Sequence, residues 1–216
     1  MALDADPAAS APDAPLDREL VERLRRGDAR AFDQVYAAHH ARIFSFLLRL
    51  SGRRDTAEDL AQETWLKLAR AAADLREDTA LAPLLFTIAR RSFLSHRRWA
   101  MLDLSRLVTF GLEVMSSTTA EPTPEAHHER AREMARLDQA LQRIPVASRE
   151  VLLLVGVEGM EQEDAAHVLG LSYAALRQRL SRARAQLTAS MESIEKVERA
   201  VALAAAGPSA EGGEPT

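Results

Sequence analysis

Between Tyr173 and Leu187 the chain carries Arg177, Arg179, Arg182 and Arg184 with no acid among them, and Gln178 and Ser181 share the stretch. Guanidinium groups bind phosphate oxygens and the guanine edge bidentately, and a glutamine amide matches adenine, so this set suits duplex DNA. Helical spacing stacks Leu176, Leu180, Ala183 and Leu187 on one side. Arg177, Gln178 and Ser181 then face away from that stripe as base readers, Arg179 lies nearer the core boundary, and Arg182 and Arg184 are placed for phosphates. A solvated basic helix has the same composition. Context favours DNA: Gln162–Leu169 reads as a short helix, Gly170-Leu171-Ser172 as a turn and Tyr173–Leu187 as the longer helix of a helix-turn-helix.

A second acid-free cluster contains Arg90, Arg91, His96, Arg97 and Arg98, interleaved with Phe93 and Trp99. Cations hold phosphates while aromatic faces stack on unpaired bases, a combination suited to distorted or single-stranded DNA. Phe93 reads more simply as core, and Trp99 fits either a stacking platform or a helix-end anchor. The helix between Asp55 and Arg70 has the opposite polarity. Glu58, Asp59, Gln62 and Glu63 make an acidic ridge with Leu66 near its end, which repels DNA and is either a solvated face or a dock for a basic protein surface.

Catalytic chemistry finds little support. The histidines are the pairs His39-His40 and His127-His128 and the singles His96 and His167, with no His-Glu-x-x-His helix and no glycine-rich phosphate loop. The Glu125–Glu129 cluster beside the linker is a poor metal candidate, and solvated histidines are expected throughout. The absence of cysteine removes disulfides, thiolate metal sites and cysteine nucleophiles, and fits a reducing cytoplasm. No catalytic residue, cofactor or metal is expected.

The elements that must position these clusters are helical. The chain has 216 residues, 47% hydrophobic and 28% charged, with a net charge of -4, which excludes a uniformly basic coat protein and general disorder. Apolar runs such as Val151–Val155 fall far short of the roughly 18 residues that span a bilayer. Asp4 and Asp6 stand where an export signal would carry positive charge.

Phe32, Val35, Tyr36, Ile43, Phe46, Leu47 and Leu50 repeat with helical spacing between an Asp28 N-cap and a Gly52 stop. Asp55 and Glu58 have capping-box spacing ahead of a helix that buries Ala57, Leu60, Ala61, Thr64, Trp65 and Leu68. A third helix runs from near Thr79 to Trp99, with Leu81, Leu84, Leu85 and Ile88 apolar early. Leu137, Ala140, Leu141 and Ile144 form another stripe ended by Pro145, and Val151–Val157 reads as a further helix. No run of strand alternation is convincing. The expectation is an all-α fold of two small helical domains joined by a flexible linker, the second domain being the helix-turn-helix module.

The boundaries follow proline and glycine. Residues 1–16 read as a disordered lead, 17–100 as the first domain and 101–129 as the linker around Ser116–Pro124. Residues 130–188 read as the second domain and 189–216 as a largely disordered tail.

These residues resemble the extracytoplasmic-function group of bacterial RNA polymerase sigma factors. Asp55-Thr56-Ala57-Glu58-Asp59-Leu60-Ala61-Gln62-Glu63-Thr64-Trp65-Leu66-Lys67-Leu68 is similar to the family's polymerase-clamp segment, and Leu84-Leu85-Phe86-Thr87-Ile88-Ala89-Arg90-Arg91 to the start of its promoter-melting helix. Ile144-Pro145 through Arg149-Glu150-Val151-Leu152-Leu153-Leu154, with Leu169-Gly170 through Arg184, is similar to its minus-thirty-five module. The likeness spans about residues 17–100 and 130–188. Ala174-Ala175 replace a common Gly-Thr, and Glu161 replaces a common capping Ser.

The resemblance implies a promoter-specificity subunit that binds core RNA polymerase through Glu58, Asp59, Gln62, Glu63 and Leu66. It implies minus-ten contacts by Arg90, Arg91, Arg97, Arg98 and Trp99, and minus-thirty-five contacts by Tyr173, Arg177, Gln178, Ser181, Arg182 and Arg184. Core polymerase and promoter DNA would be partners, the family allows for an anti-sigma factor, and catalysis would remain with the polymerase. The alternatives are a helix-turn-helix regulator with a helical sensory domain and, behind it, a metal hydrolase.

Overall fold

A computed structural model describes residues 14–109 and 128–205 of the chain, with side chains over 17–102 and 132–201. The helices are α1 (Ala14–Arg25), α2 (Ala29–Ser51), α3 (Arg54–Ala71), α4 (Leu81–Thr109), α5 (His128–Arg143), α6 (Val146–Leu152), α7 (Gln162–Leu169) and α8 (Tyr173–Ala205). A 3-10 turn, Ala72–Asp74, follows α3, and a π turn, Leu153–Val157, follows α6. Among the described residues there is no strand, as the sequence implies.

The expected boundaries of α2 hold for physical reasons. The Asp28 carboxylate accepts the Arg30 amide at 2.9 Å, satisfying a donor that the first turn leaves free. Gly52 adopts φ 71° and returns its amide to the Leu48 carbonyl at 2.8 Å, a left-handed stop that glycine adopts without strain. Ile43, Phe46, Leu47 and Leu50 are buried, and the Phe46 and Phe86 rings meet edge to face at 5.1 Å, joining α2 to α4. Thr64 is also buried, and its hydroxyl donates to the Leu60 carbonyl at 2.7 Å. Tyr36 is the exception in the expected stripe. Its ring is part-exposed and stacks on His40 at 4.5 Å, beside Trp65.

The capping box at Asp55 does not form. α3 begins at Arg54 with Arg53 in the N-cap position, two residues earlier than such a box requires, so Asp55 lies inside its first turn, where it accepts the Thr56 amide and pairs with Arg53, while Glu58 pairs with Arg54 at 2.9 Å. The Arg53 guanidinium, helped by the Thr56 amide, holds the Asp55 carboxyl well below the usual range, and Arg54 engages Glu58, so neither carboxylate takes part in reciprocal capping.

Two lengths also differ from expectation. α4 continues past Trp99 to Thr109, so the expected linker begins as helix, and its residues 110–127 lie outside the described part of the chain. α8 continues to Ala205, which makes most of the expected disordered tail ordered helix; residues 206–216 lie outside the description. Neither stretch contains proline or glycine before these ends, and in α8 the extension has packing partners. Ile194 is 2% exposed, Ser190 donates to the Ala140 carbonyl at 3.2 Å, and Arg136 pairs with Glu198 at 2.7 Å. Of the expected N-terminal lead, residues 14–16 open α1, and 1–13 lie outside the description.

In the second domain the expected Val151–Val157 helix divides. α6 starts at Val146 behind Pro145, and from Leu153 the turn widens, with the Glu158 amide reaching the Leu153 carbonyl at 2.9 Å. α7 has its expected limits although Glu161 supplies no side-chain cap. The buried apolar residues of both domains form one continuous cluster, from Val21 in α1 to Ala183 in α8.

Candidate nucleic-acid interface

α8 presents its first half as the sequence implies. Leu176, Leu180 and Ala183 are buried, Arg177, Gln178, Ser181, Arg182 and Arg184 are exposed, and Arg179 is intermediate. Gly170, at φ 66°, ends α7. Ser172 then opens α8, its hydroxyl accepting the Ala175 amide at 3.2 Å. Tyr173 is 47% exposed, and the Arg177 guanidinium lies 5.9 Å from its ring centroid. That cation-π contact pre-orients the first of the outward arginines.

The basic end of α4 is exposed at Arg91, His96, Arg97 and Arg98. Trp99 is 62% exposed, so one face of its indole is available for stacking, whereas Phe93 is core. Arg90 stands apart from this group. It is part-buried and donates to Glu150 of the second domain at 2.9 Å and to the Val168 carbonyl at 3.4 Å.

On α3, Glu58, Asp59 and Gln62 are exposed, Glu63 is intermediate and Leu66 is 50% exposed, so the ridge exists as a surface. Lys67 pairs with Glu63 at 2.7 Å and donates to the buried Ser92 hydroxyl at 2.9 Å, which fixes the ridge relative to α4.

The histidines are not uniformly solvated. His96 and His167 are exposed, but His39 and His40 are intermediate. The His40 Nδ1 accepts the Trp65 indole N–H at 3.1 Å. His39 Nδ1 is buried without a protein partner, and burial holds its pKa below the usual value, reinforced by Arg42. Among the described residues no group of histidines and carboxylates is arranged to hold a metal, and no helix is long and apolar enough to cross a membrane.

Sequence reasoning missed a polar set between the domains: Arg42, Arg49, Asp138, Gln142, Arg149 and Glu158. Arg149 is 5% exposed and Glu150 2%. One signal was legible, since Arg149-Glu150 adjoin Val151-Leu152-Leu153-Leu154, and charges on the edge of a buried run need partners.

A bipartite helical chain ending in an arginine-faced helix-turn-helix defines a DNA-binding class. The sigma-70 region 2 family model matches residues 35–100, and the sigma-70 region 4 model matches residues 134–187. The chain is 31% identical over 181 residues to the RNA polymerase sigma factor NccH of Alcaligenes xylosoxydans xylosoxydans, covering 84% of this chain and 97% of that one. It is 33% identical over 157 residues to the ECF RNA polymerase sigma factor EcfG of Rhodopseudomonas palustris, covering 73% and 82%. It resembles CnrH, solved in complex with the cytosolic domain of CnrY, with TM-score 0.63 and 28% identity over 82% of this chain and 97% of that one. It also resembles the sigma factor RpoE of Bartonella quintana, solved with the anti-sigma factor NepR, with TM-score 0.65 and 26% identity over 76% and 98%. The chain belongs to the RNA polymerase sigma factors, in their extracytoplasmic-function group.

Proposed function

We propose that this sigma factor docks on core RNA polymerase through Glu58, Asp59, Gln62, Glu63 and Leu66, selects promoters and promotes strand opening in the cytoplasm. The second domain reads the minus-thirty-five duplex with Tyr173, Arg177, Gln178 and Ser181, while Arg182 and Arg184 hold phosphates. In the first domain Arg91, Arg97, Arg98 and Trp99 hold the separated minus-ten strand, and Arg90 joins them when its carboxylate partner is removed. The polymerase supplies the chemistry of RNA synthesis. The similarity to CnrH and RpoE, each solved with a partner, supports an anti-sigma factor as a further ligand.

The observation that carries this reading is the opposite polarity of the two exposed surfaces. The first turns of α8 present arginines on an acid-free face, and α3 presents carboxylates that would repel DNA. The two surfaces therefore suit different partners. Reconstitution with core polymerase and a promoter library tests it: new transcription starts are expected, whereas DNA occupancy without initiation would favour a regulator. In the same system Trp99→Ala should lose about 1 to 3 kcal/mol of strand binding if the indole stacks on a base. Permanganate footprints equal to wild type would remove Trp99 from the strand contact.

A further inference from the structure

A long side chain on a helix leans back toward the residue four positions earlier, because every Cα–Cβ bond tilts toward the N-terminus. Four positions before Arg179, Arg182 and Arg184 stand Ala175, Gln178 and Leu180, whereas four before Arg177 stands Tyr173. The Arg177 guanidinium accordingly lies 5.9 Å from the Tyr173 ring centroid, and none of the other three makes such a contact among the described residues. No acid stands three or four positions from Arg177, and among the described residues no hydrogen bond or ion pair engages its guanidinium. The ring therefore holds the cation while its N–H donors stay free.

The backbone in turn fixes the ring. Gly170 ends α7 at φ 66°, and the Leu171 amide returns to the Ala166 carbonyl at 2.9 Å. Ser172 then opens α8, its carbonyl accepting the Leu176 amide at 2.9 Å and its hydroxyl the Ala175 amide at 3.2 Å. Tyr173 is the first residue of α8. Ala174 and Ala175 reach no further than Cβ, and the tyrosine ring stays half-exposed on the side that carries Arg177.

We propose that Tyr173 is a specificity-determining positioning residue: its ring holds the Arg177 guanidinium ready for a guanine edge, so the minus-thirty-five preference read by Arg177 depends on an aromatic ring at position 173. The proposal rests on the assignment of Arg177 to base reading, and it narrows the part of Tyr173 to holding that arginine. Preorganisation is the physical basis. A free arginine gives up side-chain freedom when two of its donors meet guanine N7 and O6. With the wrong base that bidentate pair does not form, so the ordering cost falls on the correct site alone, and lowering it widens discrimination. The contact with the ring uses none of the hydrogen-bond donors, so ring and base engage the cation together.

Two measurements on the full chain test this. In nuclear magnetic resonance spectra of the free protein, the ring current should shift the Arg177 side-chain protons upfield, and Tyr173→Leu should return them to the position of a solvated arginine. In site selection with reconstituted polymerase, Tyr173→Leu should lower discrimination about threefold at the one or two minus-thirty-five positions that Arg177→Ala relaxes. The salt slope should not move, because no phosphate contact is lost. Tyr173→Phe, which keeps the ring, should keep the discrimination that Tyr173→Leu loses. Added to Arg177→Ala, Tyr173→Leu should change nothing further at those positions. Leucine is a stronger helix former than tyrosine, so α8 is retained. As a second variant, pentafluorophenylalanine introduced at position 173 keeps the aromatic shape, withdraws negative charge from the ring face and should lose the same discrimination.

Wild-type discrimination in Tyr173→Leu overturns the proposal. So does an equal loss in Tyr173→Phe, which assigns the hydroxyl to DNA, or a loss that persists beside Arg177→Ala, which makes Tyr173 a reader in its own right. If Arg177→Ala relaxes no position while promoter-directed initiation continues, the base-reading assignment fails and takes the proposal with it, even where the upfield shift is present.

Discussion

The proposed division of labour along α8 rests on single side chains. Arg177 is exposed beside Tyr173 at the start of the helix, and Arg184 is exposed two turns later. Arg177→Ala should relax preference at one or two minus-thirty-five positions by about 1 to 3 kcal/mol. Arg184→Ala should instead weaken all sequences alike and lower the salt slope by about one. Site selection with both variants across a salt series decides this, and identical shifts in preference would refute the division. On α3 the decisive side chains are Asp59, exposed with no side-chain partner among the described residues, and Glu63, held by Lys67. Asp59→Arg with Glu63→Arg should abolish capture of core polymerase while circular dichroism stays unchanged, because reversal at the rim of a charged interface replaces attraction with repulsion. Wild-type capture would return the ridge to a solvated face.

Among the elements, α8 does two jobs. Its first turns carry the side chains proposed to read DNA, and its later turns bury Ile194 and meet α5 through the Ser190 hydroxyl and the Arg136–Glu198 pair. Removing buried aliphatic atoms costs their transfer energy plus a cavity term. Ile194→Ala should therefore destabilise the chain by about 2 to 5 kcal/mol in urea unfolding. Val197→Ala, at a position 56% exposed, should stay within about 0.5 kcal/mol of wild type. Equal effects would mean that the extension contributes nothing to the fold. The basic tail of α4 presents the converse case, since Arg97, Arg98 and Trp99 project into solvent and leave that surface free for a ligand.

At the scale of the whole molecule, His39 links acidity to stability, lying close enough to Arg42 of the interdomain pair to feel its charge. Burial first, and the Arg42 charge second, hold its pKa below the ordinary imidazole value of about 6.5. The unfolded chain therefore binds the proton more readily than the folded one. Its contribution to stability is full above that ordinary value and is lost as pH falls from there through the folded pKa. Unfolding free energy should drop between about pH 7 and 5, and His39→Gln should flatten that interval relative to wild type. A wild-type profile already flat there would show that His39 titrates alike in both states.

Local periodicity determined the helices, the arginine face of α8, the acidic ridge of α3 and the stops at Gly52 and Gly170, because each depends on residues within a few turns of one another. Tertiary structure alone decided the rest. Asp55 lost its capping role to Arg53, and the later turns of α8 are held on α5 by the Ser190–Ala140 bond and the Arg136–Glu198 pair. Arg90, alike in sequence to Arg91, Arg97 and Arg98, was drawn to Glu150 across 60 residues, as Arg42 was to Glu158 across 116. Pairings over such separations leave no trace in a helical repeat, since burial and charge act through the space between packed domains and not along the chain.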